Sequence, residues 1–402
     1  MSKSTEVLGA ETKSKIVACV RNNEGISRLK IAELTGLSNA TVTRVVESLI
    51  KNDDILEEKG CKSMPRGRPR KLLYFKGHNK YIIGIDLGTT YIRGILSDYN
   101  AESIKEMEIV TDADRGVENV LEKLVYVVET LQNAKLVNKN SIKGIGIAVA
   151  GMITDMCGII EYSPAFDWKN INLMLLLKNK LKLPFYYDNV SRLMALGEQC
   201  FGKGKDYKNF LVINVGYGIG AGIVINGNLY YGTNGITGEL GHYPMKGDNL
   251  VRCTCGNFNC LSSYSSGDAI AKRALLKLNN GESSILNKIS EKNSGVIDAE
   301  LTARACAMGD KLSLGVFNDS MKYLGLSIAG MINIFNPEKV FIGGGVALAG
   351  PVFWNKLLKT IHNNLVYRDM ASCNVEPVSY PRKSAIIGAV GLVLREALNF
   401  NL

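Results

Sequence analysis

The stretch GELGHYPMKGDNLVRCTCGNFNCL, residues 238–261, carries the most specific chemistry in the chain. His242 precedes Cys253 by eleven residues, and the thiols follow as Cys253-x-Cys255-x4-Cys260. Three thiolates and one imidazole make a closed tetrahedral zinc site, structural because no coordination position stays open. One Zn2+ per chain is therefore expected. The histidine is informative because the chain holds only three, His78, His242 and His362. The alternative is a set of buried reduced thiols. The other six of the nine cysteines, Cys19, Cys61, Cys157, Cys200, Cys306 and Cys373, are scattered. An odd, scattered set argues against a disulfide framework. Loop 246–252 has little apolar content, so its order is expected to depend on the metal.

On either side lie glycine-rich turns, each after a β-rich run. The first is in YIIGIDLGTTYIRGILSD (81–98), the second in NVGYGIGAGI (214–223), the third in FIGGGVALAG (341–350). In the first, Asp86, Gly88 and Thr90 alternate. Glycine admits a phosphate close to the backbone, a hydroxyl can donate to it, and a carboxylate can hold a hydrated magnesium ion. Alone that motif is weak. Three such turns spread over the chain imply two α/β lobes with a nucleotide or sugar cleft between them.

The N-terminal part has a different texture. Residues 1–75 hold fourteen Lys or Arg against nine Asp or Glu, half of the net charge of +10. Residues 12–22 read as a short amphipathic helix. Ser27 is an N-cap for SRLKIAELTG, which stops at Gly36, and Ser38 caps SNATVTRVVESLIKN. Val42, Val45, Val46, Leu49 and Ile50 form one apolar stripe, leaving Asn39, Thr41, Thr43 and Arg44 outward. Two short helices about a glycine turn are the helix-turn-helix pattern, whose second helix enters the major groove. Residues 53–60 and 71–75 read as strands flanking KSMPRGRPRK (62–71), five basic residues without an acid. That is a wing, with Arg66, Gly67 and Arg68 at its tip to meet the DNA backbone or minor groove. The plainer alternatives are a three-helix packing module and a solvated linker. The expected DNA-binding residues are Ser38, Asn39, Thr41, Thr43, Arg44, Arg66, Gly67 and Arg68.

With 402 residues, 46% apolar and 21% charged, the chain suits two or three globular domains. No run approaches a membrane span, and residues 1–15 lack a secretory apolar segment, so a cytoplasmic protein is expected.

GELGH…CTCGNFNC, with IGIDLGTT upstream and IGGG downstream, resembles the ROK family of repressors, open reading frames and sugar kinases. The resemblance covers roughly residues 12–400. It implies an actin/hexokinase-like duplicated α/β fold behind the winged helix-turn-helix: 1–78 for DNA, 79–195 with the helix 384–402 as one lobe, and 196–383 as the zinc-bearing other. It also implies Gly151, Asn189, Glu239 and His242 around a sugar. In the family's kinases an Asp is the general base on the sugar hydroxyl. Counting back from Gly197-Glu198, that position holds Val190. An isopropyl group accepts no proton, and losing a general base costs about 10²- to 10⁴-fold in rate. Asp188 is two residues off register, roughly 6–7 Å in an extended segment. Ser262 stands where the family has a sugar-binding Glu, and Tyr217 where kinases have a phosphate-contacting Thr. Asp86, Gly88 and Thr90 are read as a vestigial nucleotide hairpin.

The expectation is a monosaccharide-responsive repressor rather than an enzyme. It would bind a palindromic operator as a homodimer or homotetramer, with xylose or another simple sugar as effector by resemblance. An active sugar kinase with an added DNA-binding domain, and a repressor with a vestigial pocket, are the alternatives.

Overall fold

The computed structural model describes residues 12–13, 15–21, 23–51, 56–60, 71–77, 80–135, 137–154, 158–291, 295–366 and 374–398. Residues 15–21 are helical. The next helix, Arg28–Thr35, starts where the Ser27 hydroxyl accepts the Lys30 amide at 3.3 Å and stops at Gly36, whose φ of 70° suits glycine. Ser38 caps Asn39–Lys51 by accepting the Thr41 amide at 3.1 Å. Val42, Val46 and Leu49 on that helix pack with Ile16, Val20 and Ile31, as the spacing predicts. Strand β1 (Ile26–Ser27) pairs with β3 (Lys71–Phe75), which pairs antiparallel with β2 (Leu56–Gly60). The β2–β3 ribbon is the wing. Its tip, including Arg66, Gly67 and Arg68, lies outside the described residues.

The two lobes repeat one topology. In the first, β4 (Tyr81–Leu87), β5 (Tyr91–Asp98) and β6 (Ser103–Val110) form a meander. After the helix Gly116–Gln132, β7 (Ile142–Val149) joins β4 in parallel. A small antiparallel sheet of β8 (Met152–Ile153), β9 (Ile159–Ser163) and β10 (Trp168–Asn172) follows. Strand β11 (Phe185–Asn189) then closes the main sheet beside β7, giving the order β11-β7-β4-β5-β6. In the second lobe β12 (Phe210–Val215), β13 (Ile219–Ile225) and β14 (Asn228–Leu229) form the meander, and β15 (Lys339–Gly343) and β16 (Asn374–Pro377) add in parallel. The order there is β14-β13-β12-β15-β16, the same pattern strand for strand. The central strands are near-continuous apolar runs because helices cover both faces.

The helix Ser384–Leu398 returns onto the first lobe. A Cβ on Gly146 of β7 would lie 1.9 Å from the Ala389 carbonyl oxygen, so this helix rests backbone-on-backbone against the sheet. On another side it meets the helix Val190–Cys200: a Cβ on Gly388 would lie 1.7 Å from the Leu193 carbonyl oxygen. The division at 195/196 falls inside Val190–Cys200, which also packs on β13, where a Cβ on Gly222 would meet the Ser191 carbonyl oxygen at 2.4 Å. Ile386, Ile387, Val390, Val393 and Leu394 share one apolar core with Ile16, Val17 and Val20 of the DNA-binding domain. Among the described residues no helix is long and apolar enough to cross a membrane.

Candidate functional site

His242, Cys253, Cys255 and Cys260 converge, with all four ligand atoms within 4.8 Å of one another. Cys253 Sγ is 3.5 Å from His242 Nδ1, and Cys255 Sγ is 3.7 Å from Cys260 Sγ. A tetrahedral ion with metal–sulfur bonds of about 2.3 Å has edges of about 3.8 Å, and both of these pairs stand near that length. The fold brings them together by local turns. His242 ends a short 3-10 turn, and Gly256, at φ 93°, reverses the chain so that its amide donates to the Cys253 carbonyl at 2.9 Å. Burial and the neighbouring thiols push Cys260 up to about 12. A cation would reverse that, since coordinated thiols are deprotonated.

Loop 246–252 also has anchors besides the ligand cluster. Arg273 grips Asp248 with a two-pronged ion pair at 2.8 and 2.9 Å, which holds the Asp248 carboxyl down at about 2. The Asp248 amide donates to the Tyr264 hydroxyl at 2.9 Å, and Val251 is buried.

The residues read as sugar-binding fall on two walls. On one, Asn189 ends β11 and caps Val190–Cys200. Its Oδ1 accepts the Ser191 and Arg192 amides at 2.8 and 3.4 Å, and its Nδ2 donates to the Gly151 carbonyl at 2.8 Å. One N–H of that amide is left for a ligand. On the other wall Glu239 lies 3.8 Å from His242 Nε2, and a Cβ on Gly241 between them would meet Ser262 Oγ at 2.3 Å. Burial raises the Glu239 carboxyl, opposed by His242 and Arg192. A cavity of about 660 Å³ is lined by Glu239 and His242 together with Thr237, Ser327, Met331 and Phe335; Gly151 and Asn189 do not line it.

Arg192, which the sequence reading passed over, joins the two walls. It is 3% exposed. Its Nε and Nη2 donate to Asp188 Oδ1 at 2.8 and 2.5 Å, Nη1 to the Gly235 carbonyl at 2.5 Å, and Nη2 to the Ile153 carbonyl at 3.3 Å. Asp188 is thus buried and paired rather than poised as a base, and it also accepts from the Tyr231 hydroxyl at 3.1 Å. Asp188 lies on β11 and Arg192 on the helix that follows, so the helical i,i+4 rule does not foretell the pair. Nothing in the sequence pointed to Tyr231 or Arg395, whose Nη2 donates to the Tyr231 hydroxyl at 2.8 Å.

In the first glycine turn, Gly88 N–H donates to the Tyr91 carbonyl at 3.1 Å and Thr111 Oγ1 to the Gly88 carbonyl at 2.6 Å, so the hairpin is tied by its own bonds. Burial pushes the Asp86 carboxyl up to about 6, with Arg93 at 4.0 Å opposing. In the DNA-binding domain Ser38, Asn39 and Arg44 are exposed, and Thr41 and Thr43 half-buried. The Ser38 hydroxyl is engaged with the Thr41 amide and hydroxyl, so its first role is the cap.

Comparisons agree with this architecture. A model of the ROK family matches residues 82–396, and one of winged helix-turn-helix DNA-binding domains matches residues 10–53. The xylose repressor of Caldicellulosiruptor bescii is 30% identical over 385 residues, 96% of either chain. The DNA-binding transcriptional dual regulator NagC of Escherichia coli K12 is 28% identical over 376 residues, 93% of this chain and 90% of that one. The crystal structure of a ROK family transcriptional regulator, a homolog of the E. coli MLC protein, superposes with a TM-score of 0.82 at 26% identity, covering 98% of both chains. A ROK family glucokinase from Streptomyces griseus shares the fold of the lobes, with a TM-score of 0.69 over 78% of this chain and 98% of its own. A winged helix-turn-helix ahead of duplicated actin/hexokinase-like lobes defines the class. The chain belongs to the ROK family, as its motifs implied.

Removing one partner of a buried ion pair leaves the other charge uncompensated, at a cost of about 3–5 kcal/mol. Asp188→Ala should lower the unfolding free energy by about that amount, read from urea denaturation. A loss below about 1 kcal/mol, the level of a surface pair, would show that the pair is not the buried anchor described.

Proposed function

We propose that the protein is a sugar-responsive, DNA-binding transcriptional repressor, released from its operator by a monosaccharide that it does not chemically alter. The observation that carries this is the pairing of an exposed recognition-helix surface with a sugar-kinase cleft whose base position is Val190. Val190 opens the helix that Asn189 caps, and the adjacent carboxylate of Asp188 is held by Arg192 and Tyr231. Xylose is the effector favoured by the names of the relatives, since the most similar include xylose repressors. We place the sugar between Gly151 and Asn189 on one side and Glu239 and His242 on the other. Asp86, Gly88 and Thr90 are then a relic of nucleotide binding.

The metal in this reading is one structural Zn2+ per chain on His242, Cys253, Cys255 and Cys260. With the imidazole's Nδ1 toward the thiols and Nε2 toward Glu239, the ion would fix the orientation of the ring that faces the sugar. Tyr162 of the first lobe donates to the Thr254 carbonyl, between two of the thiols, at 3.1 Å. The metal knuckle is therefore also a contact between lobes, and an effector that alters the lobe angle would act across it. The protein would work in the cytoplasm as a homodimer or homotetramer, two winged domains meeting the halves of a palindromic operator. Sugar and operator oppose each other by linkage: each weakens the other by the same factor.

Arg44→Ala should weaken binding to the specific operator by about 1–3 kcal/mol, if the guanidinium reads a base edge, and change binding to random DNA little. Gel shifts across a salt series should give a steep negative slope, roughly −0.9 per neutralised phosphate. Equal affinity for operator and random DNA would remove sequence-specific recognition.

Glu239→Ala should abolish the xylose response and leave sugar-free operator binding intact, measured by fluorescence anisotropy. Formation of sugar phosphate from xylose or glucose with ATP would instead establish the kinase, and Val190→Asp should then increase it. An operator affinity indifferent to every monosaccharide in a panel would point to a vestigial pocket.

Elemental analysis of freshly purified protein should find one zinc per chain. Cys255→Ser should lose the ion and with it much of the sugar response, while Asp248 and Arg273 keep loop 246–252 in place. Metal-free wild-type protein with an unimpaired response would overturn the zinc assignment.

A further inference from the structure

We propose that Arg192, Tyr231 and Arg395 are positioning residues that carry the state of the cleft to the seat of the DNA-binding domain. This rests on the repressor reading above and adds the means by which the two sites communicate.

The chain of contacts is continuous. Arg192 holds Asp188, which precedes the cap residue Asn189, and ties the carbonyls of Ile153 and Gly235 on the two sides of the cleft. The Tyr231 hydroxyl donates to the free oxygen of Asp188 at 3.1 Å and accepts from Arg395 at 2.8 Å. Two guanidinium groups approach its ring, Arg192 at 5.1 Å and Arg395 at 5.9 Å. Burial pushes the phenol well above its ordinary range, so it stays a neutral donor. Arg395 belongs to Ser384–Leu398, the helix that shares an apolar core with Ile16, Val17 and Val20.

A second route runs parallel to the first. Val190–Cys200 has its N-terminus at the cleft and ends beside Phe201, over whose ring the Arg21 guanidinium of the DNA-binding domain sits at 4.4 Å. Tyr380 fixes this end by donating to the Phe201 carbonyl at 2.9 Å. The two helices are locked together by the backbone contact at Gly388. One rigid unit therefore has its cleft end set by Arg192, Tyr231 and Arg395, and its other end beneath the DNA-binding domain. A ligand that displaces either wall must move or strain this unit, because packed elements shift as bodies rather than deform smoothly.

A purely structural role would lower stability, or both affinities, and leave their mutual dependence unchanged. The discriminating readout is the coupling factor, the ratio of operator dissociation constants with saturating xylose and without it. For wild type this should lie in the usual range of about 5- to 150-fold. Tyr231→Phe keeps the ring and removes only the bridging hydroxyl. It should retain sugar-free operator affinity and xylose affinity within about threefold, while the coupling factor falls at least about fivefold, toward unity. Arg395→Met applies the same test at the other end of the bridge, should Tyr231→Phe be poorly folded. A wild-type coupling factor unchanged in both variants would overturn this inference alone. A wild-type factor of one, with no response to xylose or any other sugar tested, would instead remove the repressor reading on which it rests.

Discussion

Two helices meet where neither has a side chain to spare. Gly388 of Ser384–Leu398 faces the Leu193 carbonyl of Val190–Cys200 at a separation that excludes even a methyl group. On its other side the same helix lies on Gly146 of the first sheet. Close approach of this kind maximises dispersion contacts and leaves little freedom to slide. The first sheet, the cleft-bearing helix and the apolar bed of the DNA-binding domain thereby share one framework. Asn189 and Arg192 keep their register because one caps and the other belongs to a helix that cannot shift alone.

Around this framework the chemistry divides by lobe. The first contributes a cap and a carbonyl, Asn189 and Gly151. The second contributes a carboxylate and an imidazole, Glu239 and His242, held by a turn that also gathers three thiols. Arg192 reaches both sides. A buried guanidinium with a carboxylate partner and two carbonyl acceptors is an economical tie between the two walls, because its planar fork can serve several acceptors at once. Isolated buried ion pairs are weak evidence of stability. Here the value of the pair lies in the geometry it imposes on the loops at Ile153 and Gly235.

Much of the fold was legible because it is local. Ser27, Gly36 and Ser38 punctuate helices by rules of capping and backbone geometry, and KLLYF is a strand by alternation. The glycine turns and the Cys-x-Cys-x4-Cys spacing are equally local, since their partners lie within a few residues. What could not be read was long-range. Tyr231 meets Asp188 across 43 residues and Arg395 across 164, and neither pair leaves a periodic trace. The same holds for Arg21 and Phe201. The anchor of loop 246–252 was hidden for the same reason: Arg273 lies 25 residues from Asp248 on a separate helix.

The helix Ser384–Leu398 packs on the first lobe and beds the first helix of the DNA-binding domain, from which it lies far in sequence. Contacts between Ile16 or Val20 and Val393 or Leu394 span nearly the whole chain. Such contacts form late, because a long loop must close before they repay its entropy. The small three-helix module, built on local contacts, can thus fold before it is seated. With the helix Ser384–Leu398 undocked, that module would have no fixed orientation to the lobes. The orientation of the helix Asn39–Lys51 therefore depends on lobes that are already built beneath it.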